Sequence, residues 1–527
     1  MNYHTQSDVN LDGIRNTTSR GNGNGANLDQ GQNRLKVLFV SPEVSPLAKT
    51  GGLADVSGSL PKALARLGAD VRICMPRYKQ IEKAQYVTDL AVDMDGHFET
   101  AVIRQTQLPV LPHAGANQPN HRAVPVYLVD NYRFFYRDGL YGFPDEGERY
   151  DFFCKATLSM LPRINFKPDV IHTNDWQSAL IPLYLRVKHQ DEPFYQDIAT
   201  VFTIHNLQYQ GHFPKEILRL LGLSDAFFTP DQLEFYGRVN FMKAGIIWAD
   251  VVNTVSPKYA LEIQTADFGE GLDGLLRKRG KHLYGILNGI DFHEFDPATD
   301  PRIIQNYSWE DPDKKVVNKN ALQEEMGLPV KNVPVVSIIS RLANQKGLDL
   351  VAGIINRLIQ AGAQFVLLGT GEDYYQRLFT QLQLQHRESV AVHIGFDANL
   401  AQRIYAGADI FLMPSRFEPC GLSQMISMRY GTIPVVRATG GLEDTVIDVS
   451  LNPKAGNGFT FREYSANALW EALDRALHMY RQQPDQWRQL MVRAMQANYS
   501  WEKSAARYLD LYRHAISDRR LTAERVG

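Results

Sequence analysis

The segment LKVLFVSPEVSPLAKTGGLAD, residues 35–55, decides the fold of this chain. Its first six residues form an apolar run typical of a buried strand, and a helical pattern begins after Gly51 and Gly52. Adjacent glycines let the backbone approach a ligand closely, the first N–H groups of a helix lack intrahelical partners, and Lys49 adds a positive charge. The segment therefore predicts a strand, a turn and a helix. The turn either holds a phosphate or is an ordinary connection.

Short apolar runs separated by helical patterns recur along the chain, which is typical of parallel sheets covered on both faces. The runs predict strands at 35–40, 70–75, 124–129, 170–172, 200–204, 251–255 and 283–287, then at 333–339, 364–368, 390–394, 409–413 and 432–436. Two doubly wound α/β domains are the simplest architecture for this pattern. A (β/α)8 barrel is the alternative, disfavoured because the second set of strands starts afresh after the polar stretch 291–332.

Composition argues against several classes of function. With 527 residues, of which 44% are hydrophobic and 22% charged, the chain can form two or three domains without disulfide bonds. A net charge of −2 argues against nucleic acid or an anionic membrane as the main partner. Cys74, Cys154 and Cys420 are too far apart for a C-x-x-C motif, which favours a reducing compartment.

Residues 1–34 are rich in Asn, Gly, Gln, Asp and Ser, and we expect them to form a disordered polar extension. They lack the hydrophobic centre of a secretory signal. Later apolar runs all fall short of the roughly 18 residues that cross a membrane. The sequence therefore predicts a cytoplasmic protein.

Polar residues cluster just after the carboxyl ends of the predicted strands. Open α/β sheets bind ligands at that edge, and two such edges facing each other would line one cleft between the domains. These residues are Glu43, Lys49, Asn174, Asp175, His205, Asn206, Asn288, Arg341, Lys346, Gly369, Gly371, Phe396, Arg416, Glu418 and Thr439-Gly440-Gly441.

Lys49, Arg341 and Lys346 are the candidates for neutralising a diphosphate. Charge-assisted hydrogen bonds contribute roughly 1.5–3 kcal/mol each, so three cations together with helix N-termini could replace a metal ion. Each of them taken alone is also compatible with a solvated surface cation. Their shared position after strands favours the binding role.

Three further positions suggest sugar recognition. Glu418 could accept hydrogen bonds from hydroxyls, or it could cap the next helix or pair with Arg416. His205 could donate to a ligand oxygen or be a structural histidine. Asp175 stands beside Trp176, whose ring could stack on a sugar or pack in the core.

Two weaker patterns do not support a function. Gly369-Thr370-Gly371 begins like a dinucleotide-binding motif, but Tyr374 stands where the third glycine is required, which argues against an oxidoreductase. Asp93-Met94-Asp95 has the D-x-D form of some metal-dependent transferases, but further ligands are missing around it. We interpret it as a surface turn leading to Gly96.

Seven motifs in this order resemble those of the bacterial-type glycogen (starch) synthases, over about residues 35–515. They are KTGGLAD (49–55), NDW (174–176), TIHNLQYQG (203–211), LNG (287–289), SRLANQKGLDL (340–350), SRFEPCGL (415–422) and TGGLEDTV (439–446). The resemblance implies the GT-B fold of glycosyltransferases, in which two Rossmann-like domains face each other across a cleft.

The resemblance also implies domains and a reaction. An acceptor-side domain would span 35–290, a nucleotide-sugar domain 291–500, a helix returning to the first domain 501–516, and a tail 517–527. The reaction would be transfer of glucose from ADP-glucose to the non-reducing end of an α-1,4-glucan such as glycogen. It would proceed with retention of anomeric configuration, without a metal or other cofactor, and without a nucleic-acid or membrane partner.

The site residues implied by the resemblance divide into donor and acceptor groups. On the donor side, Lys49, Arg341 and Lys346 would hold the diphosphate, and Gly51 and Gly52 would let the donor approach the loop closely. The glucose would be surrounded by His205, Asn288 and Glu418, and the adenine would stack on Phe396. A helix beginning at Thr439, Gly440 and Gly441 would point toward the phosphates. On the acceptor side would be Tyr141, Asp175 and Trp176. The chain departs from broader relatives at Ile426, where they carry a second glutamate eight positions after the first.

Competing functions remain open at this point. A non-catalytic glucan- or nucleotide-binding protein and a pyridoxal-phosphate-dependent glucan phosphorylase could both use the same two-domain plan. A hydrolase is disfavoured, because Glu418 is the one strong carboxylate candidate and glycosidases use a pair. Phe396 could stack on adenine or uracil, so the preference for ADP-glucose over UDP-glucose comes from the resemblance alone.

Overall fold

A computed structural model describes residues 34–110 and 123–526, with the side chains of 523–526 excluded. All but the last residue of the predicted extension 1–34 lies outside this range. The strands are β1 (Lys36–Val40), β2 (Asp70–Pro76), β3 (Gln85–Asp93), β4 (Phe98–Leu108), β5 (Val124–Asp130), β6 (Val170–Asn174), β7 (Ala199–Ile204), β8 (His212–Phe213), β9 (Glu234–Phe235), β10 (Arg238–Asn240), β11 (Val251–Thr254), β12 (Leu283–Gly285), β13 (Val335–Ile339), β14 (Gln364–Gly369), β15 (Val390–Ile394), β16 (Ile410–Met413), β17 (Ile433–Arg437) and β18 (Phe459–Phe461).

The helices are α1 (Gly52–Arg66), α2 (Tyr132–Phe135), α3 (Glu146–Arg163), α4 (Leu180–Val187), α5 (Ile217–Leu220), α6 (Phe241–Trp248), α7 (Pro257–Glu262), α8 (Asp273–Lys278), α9 (Lys315–Glu325), α10 (Leu348–Gln360), α11 (Asp373–Gln385), α12 (Ala398–Gly407), α13 (Ser423–Arg429), α14 (Gly440–Thr445), α15 (Ala466–Gln482), α16 (Pro484–Gln496) and α17 (Trp501–Val526). Throughout the part of the chain that the structure describes, each helix is too short or too polar to cross a membrane.

The first half of the chain forms a nine-stranded sheet in the order β12-β11-β7-β6-β1-β2-β5-β4-β3. The seven strands from β12 to β5 are parallel, and β4 and β3 continue the sheet in antiparallel fashion. Strands β6, β7 and β11 are buried along their whole length. Their continuous apolar character follows from helices covering both faces of the sheet.

The second half forms a six-stranded parallel sheet in the order β15-β14-β13-β16-β17-β18. Numbered within this half, the order is 3-2-1-4-5-6, that of doubly wound nucleotide-binding sheets. Two separate open sheets confirm the predicted fold class and exclude the barrel. Each of the twelve predicted strands is present, with ends within two residues of the prediction.

The antiparallel strands β3 and β4 were not predicted. β3 and β4 pair as an antiparallel edge, and β3 alternates exposed and buried residues along its second half. Such a strand lacks a continuous apolar run because one face meets solvent. The turn between them confirms the interpretation of Asp93-Met94-Asp95: Asp95 and Gly96 have φ values of 60° and 80°, and the Gly96 N–H donates to Asp93 Oδ1 at 2.9 Å.

Helix α17 is longer than the predicted 501–516, because the segment 517–527 predicted as a tail is helical as far as Val526. The helix lies against the first sheet, where the Tyr512 hydroxyl is 2.8 Å from His172 Nδ1 and the Asn253 amide donates to the Tyr508 hydroxyl at 3.1 Å. The C-terminal helix therefore returns to the first half of the molecule.

The chain passes between the two halves at two adjacent points. The Ile290 N–H donates to the Tyr499 carbonyl at 2.8 Å, which joins the two crossings. A Cβ atom at Gly289 would lie 2.6 Å from the Trp501 backbone, so only glycine allows this close approach. Both sheets thereby present their carboxyl ends to the same space.

Candidate functional site

A cavity of about 1020 Å³ lies between the carboxyl ends of the two sheets. It brings together most residues predicted from the sequence, from both halves of the chain. They are Lys49, Gly51, Gly52, Tyr141, Asp175, Trp176, His205, Asn288, Arg341, Lys346, Phe396 and Glu418. Thr439, Gly440 and Gly441 lie outside the cavity lining formed by the described residues.

The glycine loop after β1 is held by a buried carboxylate. Glu43 is 4% exposed and accepts hydrogen bonds from the Thr50 hydroxyl at 2.7 Å, from the N–H groups of Thr50 and Gly51 at 2.5 and 3.2 Å, and from the Tyr141 hydroxyl at 2.7 Å. Tyr141 therefore supports the loop as well as lining the cavity. The Gly51 N–H, expected to be unpaired for a phosphate, is already paired with Glu43.

Lys49 is the loop's positive group at the cavity. Its Nζ lies 2.6 Å from Asp55 Oδ1, and its side chain is 44% exposed. Burial raises the pKa of Asp55, and the Lys49 ammonium opposes that shift. Because the described atoms leave more than 4 Å of space around a Cβ placed at Gly51 or Gly52, the loop leaves room beside the lysine.

Asp175 occupies a strained position at the end of β6. Its φ of 55° is unfavourable for a residue with a side chain, and such strain clusters at functional sites. Asp175 Oδ1 accepts the His205 N–H at 2.8 Å. Burial raises the pKa of Asp175 to about 7, and the hydrogen bonds from the His205 and Asn206 backbone oppose that rise. The carboxyl group therefore titrates near neutral pH.

His205 is a neutral imidazole of fixed tautomer. Burial lowers its pKa to about 3, so the ring is uncharged at neutral pH. Its Nε2 lies 2.9 Å from Asn174 Oδ1, and the Asn174 amide is oriented by donating to the Val40 carbonyl at 3.0 Å. The Nε2 proton is therefore used on Asn174, and Nδ1 carries a lone pair. His205 can accept a hydrogen bond from a ligand hydroxyl, whereas the sequence predicted a donor.

Glu418 and Lys346 form the centre of the second half of the site. Glu418 is 7% exposed, and its Oε2 accepts Lys346 Nζ at 2.7 Å and the Ser415 hydroxyl at 3.0 Å. The predicted alternative partner Arg416 instead contacts Asn344 and Asp349.

The turn that carries Lys346 lies close to the Glu418 segment. Gly347 has a φ of 69°, and a Cβ there would lie 2.1 Å from the Pro414 carbonyl oxygen. Glycine is therefore required at this contact. Arg341 is exposed and lies 3.5 Å from Gln345 Oε1, so it is the least constrained cation of the site.

Four residues that line the cavity carry a buried side-chain oxygen without a hydrogen-bond partner among the described residues: Gln177 Oε1, Asn288 Oδ1, Ser340 Oγ and Gln402 Oε1. Buried polar atoms are nearly always paired, so a bound ligand or water would be expected to satisfy these oxygens. Sequence analysis missed Gln177, Ser340 and Gln402. Ser340 directly follows the strand predicted at 333–339, a signal that could have found it. Gln402 is an ordinary helical residue in sequence, and only its burial reveals it.

The two predicted aromatic platforms differ. Phe396 is 83% exposed on the loop between β15 and α12, so its ring is available at the cavity rim. Trp176 is 7% exposed and packs against Tyr150 and Phe213, with ring centroids 5.1 and 5.8 Å apart. Trp176 therefore packs in the core, one of the two alternatives that the sequence left open, while it also lines the cavity; its role at the acceptor glucan stays a prediction.

The second glycine motif packs instead of facing the cavity. The Thr439 hydroxyl and the Gly440 N–H donate to the buried carboxylate of Glu262, at 3.2 and 3.0 Å. Glu262 is the last residue of α7, in the first half of the chain. Its carboxylate occupies the N-terminus of α14, the position at which the sequence predicted a phosphate. Cβ atoms at Gly440 and Gly441 would lie 2.0 and 2.2 Å from the carbonyl oxygens of Glu418 and Cys420. The glycines allow the helix to support the Glu418 segment.

Comparison with known families and sequences identifies close relatives. Residues 36–278 match the family described as starch synthase catalytic domain, and residues 321–490 match glycosyl transferases group 1. A glycogen synthase of Moorella thermoacetica is 61% identical over 493 residues, covering 94% of this chain and 99% of that protein. A glycogen synthase of Thermotoga maritima is 48% identical, covering 92% of this chain and 99% of that protein.

Solved structures show the same relationship. The catalytic domain of starch synthase IV from Arabidopsis thaliana, bound to ADP and acarbose, superposes with a TM-score of 0.84 at 35% identity, covering 92% of this chain and 100% of that chain. Sucrose-phosphate synthase from Thermosynechococcus elongatus has a TM-score of 0.56 at 20% identity over 92% of this chain and 100% of its own, which shows a shared fold.

Proposed function

Since the chain belongs to the glycogen synthase family and is a glycosyltransferase of the GT-B class, we propose that it transfers glucose from ADP-glucose to the non-reducing end of an α-1,4-glucan, with retention of anomeric configuration. The observation that carries the proposal is that Lys49 from one half and Arg341, Lys346 and Glu418 from the other line the same cavity. Residues 35–290 would be the acceptor side and 291–500 the nucleotide-sugar side.

The donor diphosphate would lie among Lys49, Arg341 and Lys346. Lys346 Nζ donates a hydrogen bond to Glu418 Oε2 at 2.7 Å, so the position of its ammonium group is fixed before the donor binds. Preorganised charge at a leaving group lowers a barrier more than charge that must reorient. Together, Lys49, Arg341 and Lys346 would stabilise the departing diphosphate without a metal ion or other cofactor.

The nucleoside would lie against Phe396 and the two unpartnered atoms of Ser340 and Gln402. The exposed ring of Phe396 offers a stacking surface, and buried unpaired oxygens favour a ligand that donates hydrogen bonds, as adenine and ribose do. ADP bound to the Arabidopsis starch synthase domain supports an adenine nucleotide as donor.

The transferred glucose would lie between His205, Asn288 and Glu418. Glycosyl transfer passes through an oxocarbenium-like state, so a buried carboxylate nearby favours the positive charge that develops on the sugar. The lone pair of His205 Nδ1 and the unpaired Asn288 Oδ1 are acceptors for sugar hydroxyls. The acceptor glucan would approach Asp175 and Tyr141 on the first half, and closure of the two halves would exclude water.

The test is an elongation assay with glycogen and either ADP-glucose or UDP-glucose, with and without chelator. We expect glucose incorporation with equimolar ADP release, faster with ADP-glucose and unchanged by chelator. Nucleotide release without elongation would indicate hydrolysis, and no release with either donor would indicate a binding protein. A phosphorylase would show the visible absorption band of pyridoxal phosphate and would need inorganic phosphate.

A further inference from the structure

Two histidines and an aspartate form a cluster far from the cavity. His282 ends the 3-10 turn Gly280–His282 just before β12, while His514 and Asp518 lie one turn apart on α17. His282 Nδ1 is 3.1 Å and His514 Nε2 is 3.3 Å from Asp518 Oδ2. The three ligand atoms all lie within 4.8 Å of one another.

The chemistry and spacing of this cluster match a metal site. Two imidazole nitrogens and one carboxylate oxygen form a ligand set that Zn²⁺ uses in sites with three protein ligands and a water. In a tetrahedral site with metal–ligand distances of about 2.0–2.2 Å, neighbouring ligand atoms lie about 3.3–3.6 Å apart. The observed separations of 3.1 and 3.3 Å come close to two of the three edges of that arrangement.

The ligands are held in place and open to solvent. The His282 and His514 rings lie nearly parallel, at an interplanar angle of 19°, and the Tyr284 ring packs edge-on against His514 at 5.6 Å. The side chains of His282, His514 and Asp518 are 47%, 29% and 21% exposed, so an ion and its water can enter.

We propose that His282, His514 and Asp518 bind one divalent transition-metal ion of the Zn²⁺ type. The ion would join α17 to the edge strand of the first sheet, across more than 230 residues of sequence. An ion that binds the folded chain and not the unfolded one stabilises the folded state by mass action. Its role would be to fasten the C-terminal helix.

The site is independent of the transfer reaction. His282 stands at the amino end of β12, whereas the cavity lies at the carboxyl ends of the strands, and none of the three ligands is among the described residues that line the cavity. Binding here therefore does not conflict with a transfer step that uses no metal.

The experiment uses the full chain without a polyhistidine tag, freed of metal by a chelator that is then removed. Zn²⁺ is titrated by calorimetry, and Co²⁺ binding is followed by its visible absorption. We expect one ion per chain with micromolar affinity, and a melting temperature that rises with added Zn²⁺. His514→Ala, His282→Ala and Asp518→Asn should each weaken binding at least tenfold and abolish the rise.

The matched control is His478→Ala, which removes an exposed histidine from another helix and should bind like the unmodified chain. Binding of no ion, or equal binding by all three ligand variants, would overturn the proposal. Glucan elongation is measured in parallel, and unchanged rates in the ligand variants would separate this site from the proposed transferase function.

Discussion

The sequence TGGL-x-D occurs twice, at 50–55 and at 439–444, with different outcomes. In both copies a buried glutamate accepts hydrogen bonds from the threonine hydroxyl and the first glycine N–H: Glu43 in the first and Glu262 in the second. The first copy lines the cavity with open space around its glycines, and the second is packed against backbone. The same local geometry therefore leaves room for a ligand in the first copy, which lies beside the cavity. In the second copy it supports the Glu418 segment, against which it packs.

The largest expected effect comes from adding a methyl group to the second copy. In Gly440→Ala the Cβ would meet the Glu418 carbonyl oxygen at 2.0 Å, and φ is +46°, so the Glu418 segment must shift. We expect a loss of about 3 kcal/mol or more of stability and near-complete loss of elongation.

Gly51→Ala is the matched variant of the first copy. Apart from the neighbouring residues in the chain, the described atoms lie more than 4 Å from the added Cβ, so the melting temperature should stay close to that of the unmodified chain while KM for the donor rises. Thermal unfolding and elongation kinetics check both variants. Equal destabilisation of the two would show that the copies do not differ in packing.

Removing the cation of the first copy should affect chemistry without affecting the fold. Lys49→Ala removes a half-exposed side chain, so stability should change by less than about 0.5 kcal/mol. Loss of one preorganised charge at the leaving group should lower kcat by roughly 10²–10³. The control is Lys79→Ala, an equally exposed lysine paired with Asp138. A change in glucan affinity with unchanged kcat would place Lys49 on the acceptor side instead.

The two glutamates should differ in how strongly their removal affects the reaction. Glu262→Ala removes the buried acceptor that joins α7 to α14, so we expect a loss of about 1–3 kcal/mol of stability. Glu43→Ala removes a buried acceptor of the same kind, so we expect a comparable loss of stability, and it also frees the glycine loop beside the cavity, so we expect a fall in kcat/KM as well. Melting temperatures and donor kinetics of both variants decide the matter, and a purely catalytic effect of Glu262→Ala would contradict the packing role.

The general fold could be predicted because strands buried on both faces give continuous apolar runs. The antiparallel strands β3 and β4 could not, since one solvent-facing side removes that signal. Site positions could be predicted for a related reason: the carboxyl ends of parallel strands meet at one edge, which places Lys49, His205 and Glu418 at the cavity.

The partners of these residues could not be predicted from the sequence. Two pairings depend on how separate elements pack. Glu418 pairs with Lys346 instead of Arg416, and the Thr439 hydroxyl donates to Glu262, which is 177 residues away in the sequence. Gln402 has no local signal, because its role follows only from the burial of an unpaired oxygen.

The smallest effect concerns the aspartate that ends the second copy. Burial raises the pKa of Asp444 to about 6, and the Lys258 N–H that donates to it at 2.8 Å opposes that rise. Because the pKa of Asp444 is higher in the folded chain than in the unfolded chain, protonation of Asp444 stabilises the folded state at pH values below the pKa of the unfolded state. This stabilisation is lost as the pH rises through about 6. The melting temperature of the unmodified chain should therefore fall more between pH 5 and pH 8 than that of Asp444→Asn, which cannot titrate. Identical pH dependence in the two chains would show that Asp444 is solvated like an ordinary surface carboxylate, and the second copy would then be less buried than its packing indicates.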